Sequence, residues 1–148
     1  MADIHDRKEL DVPGTPVAPT PLEPTSRTVT TDGVRVTLEG DVRAGKTNEL
    51  VLHVADAATG RPVDDLQSYL TAPAHLVVMR QNGATFEHQH AEVRDADGRP
   101  VFALPGQSFG PDLPFHVAFP TAGTYRMWGQ FSLADGQVIT VAFTVRAS

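Results

Sequence analysis

The dipeptide Asn82-Gly83 sits between two β-prone runs, His75-Leu76-Val77-Val78-Met79-Arg80 and Thr85-Phe86-Glu87-His88-Gln89-His90-Ala91-Glu92-Val93. Asn-Gly in this setting is the strongest short hairpin signal, because a type I′ turn needs positive φ at both central residues. With Asn82 and Gly83 as a two-residue loop, Met79 faces Phe86, Val77 faces His88 and His75 faces His90. Side chains alternate along a strand, so His75, Val77, Met79, Phe86, His88 and His90 share one face. Directly opposed Cβ atoms lie about 4.5–5.5 Å apart. Three imidazoles therefore converge at one end of an otherwise apolar face.

The rest of the chain reads as β structure. Val34, Val36 and Leu38 alternate with polar neighbours after the turn Asp32-Gly33, and Thr28–Thr30 precedes it. Leu50, Leu52 and Val54 form one face of a further strand, which puts His53 on the solvent side. Phe115, Val117 and Phe119 form another. Residues 124–133 and 137–145 make a closing hairpin across Ala134-Asp135-Gly136, with Tyr125, Met127, Gly129 and Phe131 on one face and Arg126, Trp128 and Gln130 on the other. Val101–Leu104 reads as a short strand, Asp64–Tyr69 as a single helical turn, and Pro105–Pro114 as a loop. Seven or eight short strands separated by Gly, Pro, Asp and Asn predict an all-β, immunoglobulin-like, two-sheet antiparallel β-sandwich. The segment Pro120-Thr121-Ala122-Gly123-Thr124-Tyr125 matches the tyrosine corner of such sandwiches, with Met127 pointing into the core.

Residues 1–27 read differently. Five prolines between Pro13 and Pro24 favour extended polyproline II, a flexible or semi-rigid tether rather than core. Two parts follow: a Pro-rich tail over 1–27 and a sandwich over 28–148. A tether of this kind suits a lipid anchor or a second module. His5 would join an amino-terminal copper motif only if processing left it third from the N-terminus.

Composition narrows the chemistry. The net charge is −6 with no Lys/Arg block, which argues against a nucleic-acid partner. No apolar segment is long enough for a membrane span. With no cysteine, thiolate zinc, iron–sulfur and blue-copper sites and cysteine nucleophiles are excluded. No serine nucleophile elbow, phosphate loop or dinucleotide fingerprint is present, and no carboxylate is placed as a general base, so no enzymatic activity is expected.

The three histidines remain. A buried imidazole without a partner costs about 1–3 kcal/mol, so three together are best explained by a common ion. His-only nitrogen donors suit Zn(II), Cu(II) and Ni(II). Met79 and Met127 are expected on the inward side, where a thioether would favour Cu(I). His116 is the candidate fourth ligand, if its strand runs beside the hairpin. The competing reading is a metal-free interaction module that uses an outward Trp128, with Arg126 and Gln130, as its contact surface.

Three stretches extend the argument. Residues 59–80, then Phe86-Glu87-His88-Gln89-His90-Ala91-Glu92, then residues 115–145 resemble exported bacterial β-sandwich domains associated with copper and heavy-metal handling. They are distantly similar to the FixH/YtkA-like and CopC-like immunoglobulin-type folds. The carrying residues are Tyr69-Leu70, Ala74-His75, His88, His90, Gly123, Tyr125, Trp128, Gln130 and Phe131. Ala91 stands where members of the group often carry proline after the His-x-His. The resemblance implies a periplasmic or extracellular protein, a bound metal, copper first and zinc second, and a metal-handling protein as partner. Chaperone, buffer and sensor roles all fit.

Overall fold

A computed structural model describes residues 8–148; the His5 motif lies outside them. Twelve strands follow in order: β1 (Thr28–Thr31), β2 (Val34–Glu39), β3 (Lys46–Asp56), β4 (Leu66–Gln67), β5 (Ala74–Arg80), β6 (Phe86–His90), β7 (Val93–Arg94), β8 (Pro100–Val101), β9 (Ser108–Phe109), β10 (Asp112–Phe119), β11 (Gly123–Ser132) and β12 (Val138–Ala147). Among the described residues there is no helix. The helical turn expected over Asp64–Tyr69 is instead β4, which pairs with β9 and with the far end of β11. The strand expected over Val101–Leu104 is confined to β8. Before β1 the described tail carries no strand, but Thr25 and Thr144 exchange two hydrogen bonds: the Thr25 amide donates to the Thr144 carbonyl and the Thr144 amide to Thr25 Oγ1.

The molecule is an antiparallel β-sandwich. One sheet runs β1-β2-β3-β10, and the other runs β6-β5-β11 with β12 on the far side of β11. Strict alternation supplies the core. Leu50, Leu52, Val54, Phe115, Val117 and Phe119 from the first sheet meet Leu76, Val78, Met127, Phe131, Val141 and Phe143 from the second, all buried. Gly129 lies on this inner face, where a Cβ would meet Leu52 Cδ1 at 2.6 Å. The sheets approach closely there, and only glycine leaves room. The tyrosine corner is present: the buried Tyr125 hydroxyl donates to the Thr121 carbonyl at 2.8 Å.

The central hairpin has the expected register and a different turn. His75 opposes His90, Val77 opposes His88 and Met79 opposes Phe86. The loop, however, spans residues 81–84. The Gly83 amide donates to the Arg80 carbonyl and the Arg80 amide to the Thr85 carbonyl. Gly83 has φ of 70°, but Asn82 is not in the left-handed region, so this is not a type I′ turn. Its physical reason lies in the neighbouring strand. The Gln81 amide donates to the Thr124 carbonyl of β11 rather than across the hairpin. Because the loop grows by one residue on each side, the register survives. The type I′ geometry occurs instead at Asp32-Gly33, with φ of 47° and 79°.

Candidate metal centre

The hairpin face that carries the histidines is the outer one. The inward residues of β5 are Ala74, Leu76 and Val78; His75, Val77 and Met79 point away from the core. Met127 is inward, against Val78 in register, so the expected pairing of Met79 and Met127 beside the histidines is corrected. β11 pairs with β5 so that Gln130 opposes His75, Trp128 opposes Val77 and Arg126 opposes Met79. The histidine cluster and the outward tryptophan surface, two separate readings of the sequence, are one continuous face.

His75, His88 and His90 come together there. Each offers a ring nitrogen, and these nitrogens all lie within 4.8 Å of one another. Nδ1 of His75 is 3.2 Å from Nε2 of His88, and their rings are stacked at an interplanar angle of 13°. The His90 ring stands nearly perpendicular to both, with centroids 4.6 Å from His75 and 4.9 Å from His88. The cluster is graded in depth: His75 is 8% exposed, His88 half-buried and His90 exposed.

His75 is oriented by backbone. Its Nε2 lies 2.8 Å from the Tyr69 carbonyl oxygen. A carbonyl only accepts, so Nε2 carries the proton and donates, and the neutral ring presents the Nδ1 lone pair toward His88. Metal-ligating histidines are commonly held this way by an outer hydrogen-bond partner. Burial pushes the His75 pKa below its usual value, aided by the neighbouring His90 and His88 and opposed by the Tyr69 hydrogen bond.

The Tyr69 carbonyl is itself held by an unusual turn. Tyr69 and Ala72 exchange backbone hydrogen bonds at 2.8 and 3.1 Å across Leu70-Thr71. Leu70 and Thr71 have φ of 48° and 69°. Two consecutive non-glycine residues in the left-handed region store strain, worst at the β-branched Thr71. Sequence reasoning misses this turn. Nothing in Tyr69-Leu70-Thr71-Ala72 marks positive φ, since Gly, Asn and Asp are absent.

His116, the candidate fourth ligand, does not join the group. Two residues beyond His90 the chain crosses between sheets. The Ala91 amide still bonds to Ala74, but the Glu92 amide bonds to Pro114 of β10. That crossing carries the chain to His116, whose Nδ1 lies 2.8 Å from Glu92 Oε1 and whose Nε2 lies 3.8 Å from Glu49 Oε2. Both ring nitrogens thus face carboxylates outside the cluster, Glu49 of β3 and Glu92 of the crossing segment. His53 is half-buried, with Nδ1 2.6 Å from Asp112. Glu87, on the opposite face of β6, accepts from Gln89.

Beside the cluster the outer face forms an open concavity of about 440 Å³. Val77, Met79, Trp128 and Leu70 contribute its apolar lining, with His75 and His88 at one end and Gln130 and Thr140 along one side. No carboxylate of the described residues lines it. Among the described residues no helix is long and apolar enough to cross a membrane.

Two solved structures share the fold. FetP from uropathogenic Escherichia coli strain F11, expressed recombinantly in the periplasm of E. coli, aligns with a TM-score of 0.50 at 8% identity, covering 84% of this chain and 94% of that one. A copper-bound variant of the same FetP aligns with a TM-score of 0.52 at 7% identity, covering 84% and 95%. At these identities the likeness is one of fold. It supports a FetP-like β-fold and does not single out the FixH/YtkA-like or CopC-like families. No curated protein matches the sequence. The family profile DUF8832, a domain of unknown function, matches residues 28–148, and the chain belongs to that family.

Proposed function

We propose that this protein is a non-enzymatic metal-binding sandwich that holds a copper ion through His75 Nδ1, His88 Nε2 and His90, and that it works outside the cytoplasm as a chaperone, buffer or sensor of that ion. One observation carries the reading: three ring nitrogens lie within 4.8 Å, and the most buried ring is already oriented by the Tyr69 carbonyl to present its lone pair to the other two. Ligation at about 2.0–2.1 Å needs nitrogens within about 4 Å of each other, a small closure from this arrangement. Neutral imidazoles suit copper and zinc, and copper ranks higher in affinity for such donors. A sandwich of this fold carries copper in the FetP variant; on this chain the assignment rests on its own donor set. Among the described residues no carboxylate belongs to the group to act as a general base, which favours holding an ion over hydrolysis. The exposed His90 offers a first contact, and His75 the deepest.

The test is calorimetric titration of the metal-free, untagged protein with Cu(I), Cu(II) and Zn(II). One equivalent of copper should bind in the wild type and none in the variant carrying His75→Ala, His88→Ala and His90→Ala. Unchanged binding in that variant rules the assignment out.

A further inference from the structure

The three imidazoles do not set the oxidation state of the ion, and the neighbouring concavity bears on it. The lining places one further metal donor beside two of the three imidazoles, His75 and His88: the thioether of Met79. In the hairpin register Met79 opposes Phe86, so it stands on the diagonal from His88, one pair along the same face. Diagonal Cβ atoms in an antiparallel pair lie about 7–8 Å apart or somewhat less, within reach of long side chains. Methionine has three rotatable bonds, so its sulfur can swing toward an ion held by His88 without moving the backbone. Met79 is half-buried rather than locked in the core, unlike the fully buried Met127 on the other side of the sheet.

Charge points the same way. Every candidate donor is neutral: three imidazoles and a thioether. Among the described residues no carboxylate joins the group. The nearest acidic side chain on β6, Glu87, lies on the opposite face and accepts from Gln89, and Glu92 is taken by His116 and Arg94. An ion in this site therefore keeps its full charge beside Val77, Met79, Leu70 and Trp128. The cost of removing an ion from water rises with the square of its charge, so an apolar neighbourhood without a counter-anion penalises a divalent ion about four times as heavily as a monovalent one. Thioether donors likewise select Cu(I).

Resting on the metal-binding reading above, we infer that Met79 is a fourth donor and that the site takes a soft monovalent cation, Cu(I), in preference to Cu(II) or Zn(II). The sulfur approaches from the concavity side. Trp128, across Val77 from His88, lines the same concavity and adds apolar surface beside it.

The experiment compares the full-length, untagged protein with its Met79→Leu variant. Cu(I) is titrated anaerobically against a competing chromophoric chelator, and Zn(II) against its own chelator. Met79→Leu should weaken Cu(I) at least as much as loss of an outer-sphere partner does, about 10–100-fold, and leave Zn(II) affinity within about twofold of the wild type. Copper-edge X-ray absorption of the Cu(I)-loaded wild type should show a sulfur scatterer beside the nitrogens, which reads the ligand without any variant. A nitrogen-only shell, or equal Cu(I) affinity in both proteins, overturns the role of Met79 while leaving the histidine site intact. Copper binding that survives replacement of all three histidines overturns the underlying reading instead.

Discussion

His75 and His88 face each other through Nδ1 and Nε2 at 3.2 Å, from opposite strands of one hairpin. Because the far nitrogen of a neutral His75 donates to Tyr69, its Nδ1 carries a lone pair, and two arrangements satisfy this contact: His88 donates a proton, or both lone pairs share an ion. The consequences of that pairing, and of the frame around it, can be measured.

The first concerns the ligands singly. His88→Ala and His90→Ala should each weaken copper binding by more than about 100-fold, beyond what outer-sphere changes cost. Chelator competition measures this. His116→Ala should leave affinity unchanged, since His116 is bound to Glu92 on the other sheet. A comparable loss at His116 would contradict the geometry.

The second concerns pH. Burial holds the His75 pKa below its usual value in the folded protein. An unfolded histidine takes up its proton near pH 6.5. Below that pH the unfolded chain binds a proton that the native chain refuses, so stability falls as pH drops from about 6.5 through the lower folded value. Thermal unfolding of the metal-free protein between pH 8 and 5 should show this decline, and His75→Gln should flatten it. Copper affinity should fall over the same acid range, because bound imidazoles must be neutral.

The strained turn supplies a third. Leu70→Asn and Thr71→Gly place residues that tolerate left-handed backbone where the structure requires it. Each should stabilise the protein by about 1 kcal/mol, seen as a raised midpoint in urea denaturation. Destabilisation by either would mean that the turn is not strained.

A fourth tests the frame. Gly129→Ala would drive a methyl group to within 2.6 Å of Leu52 Cδ1 and 3.4 Å of Val141 Cγ2. The expected loss is about 1–3 kcal/mol by overpacking. Tyr125→Phe leaves the Thr121 carbonyl without its donor and should cost about 1 kcal/mol. Equilibrium denaturation reports both.

Much of the fold is legible in the chain. The alternation of Val34, Val36 and Leu38 with Arg35 and Thr37, and of Phe115, Val117 and Phe119 with His116 and Ala118, marks inner faces that the structure buries. The tyrosine corner announces itself in Gly123-Thr124-Tyr125. β5 is the exception. His75, Val77 and Met79 on one side and Ala74, Leu76 and Val78 on the other are both largely apolar, so period-two reasoning cannot tell inside from outside. Assigning the histidine face to the core is the natural error of that pattern. The short helical turn expected over Asp64–Tyr69 fails for a related reason: a two-residue strand such as β4 is held by its neighbours and has no local signature of its own.

Local chemistry is enough to set which residues oppose which across the β5–β6 hairpin, because a symmetric loop about Asn82-Gly83 yields one register whether it holds two residues or four. That alone brings His75, His88 and His90 to one face. Tertiary structure decided the rest. The pairing of β11 beside β5, a contact between segments distant in the chain, turned that face outward and laid Trp128 against it. The crossing at Glu92 removed His116. The orientation of His75 came from the carbonyl of Tyr69, a backbone atom that every residue carries and that no side-chain pattern can mark.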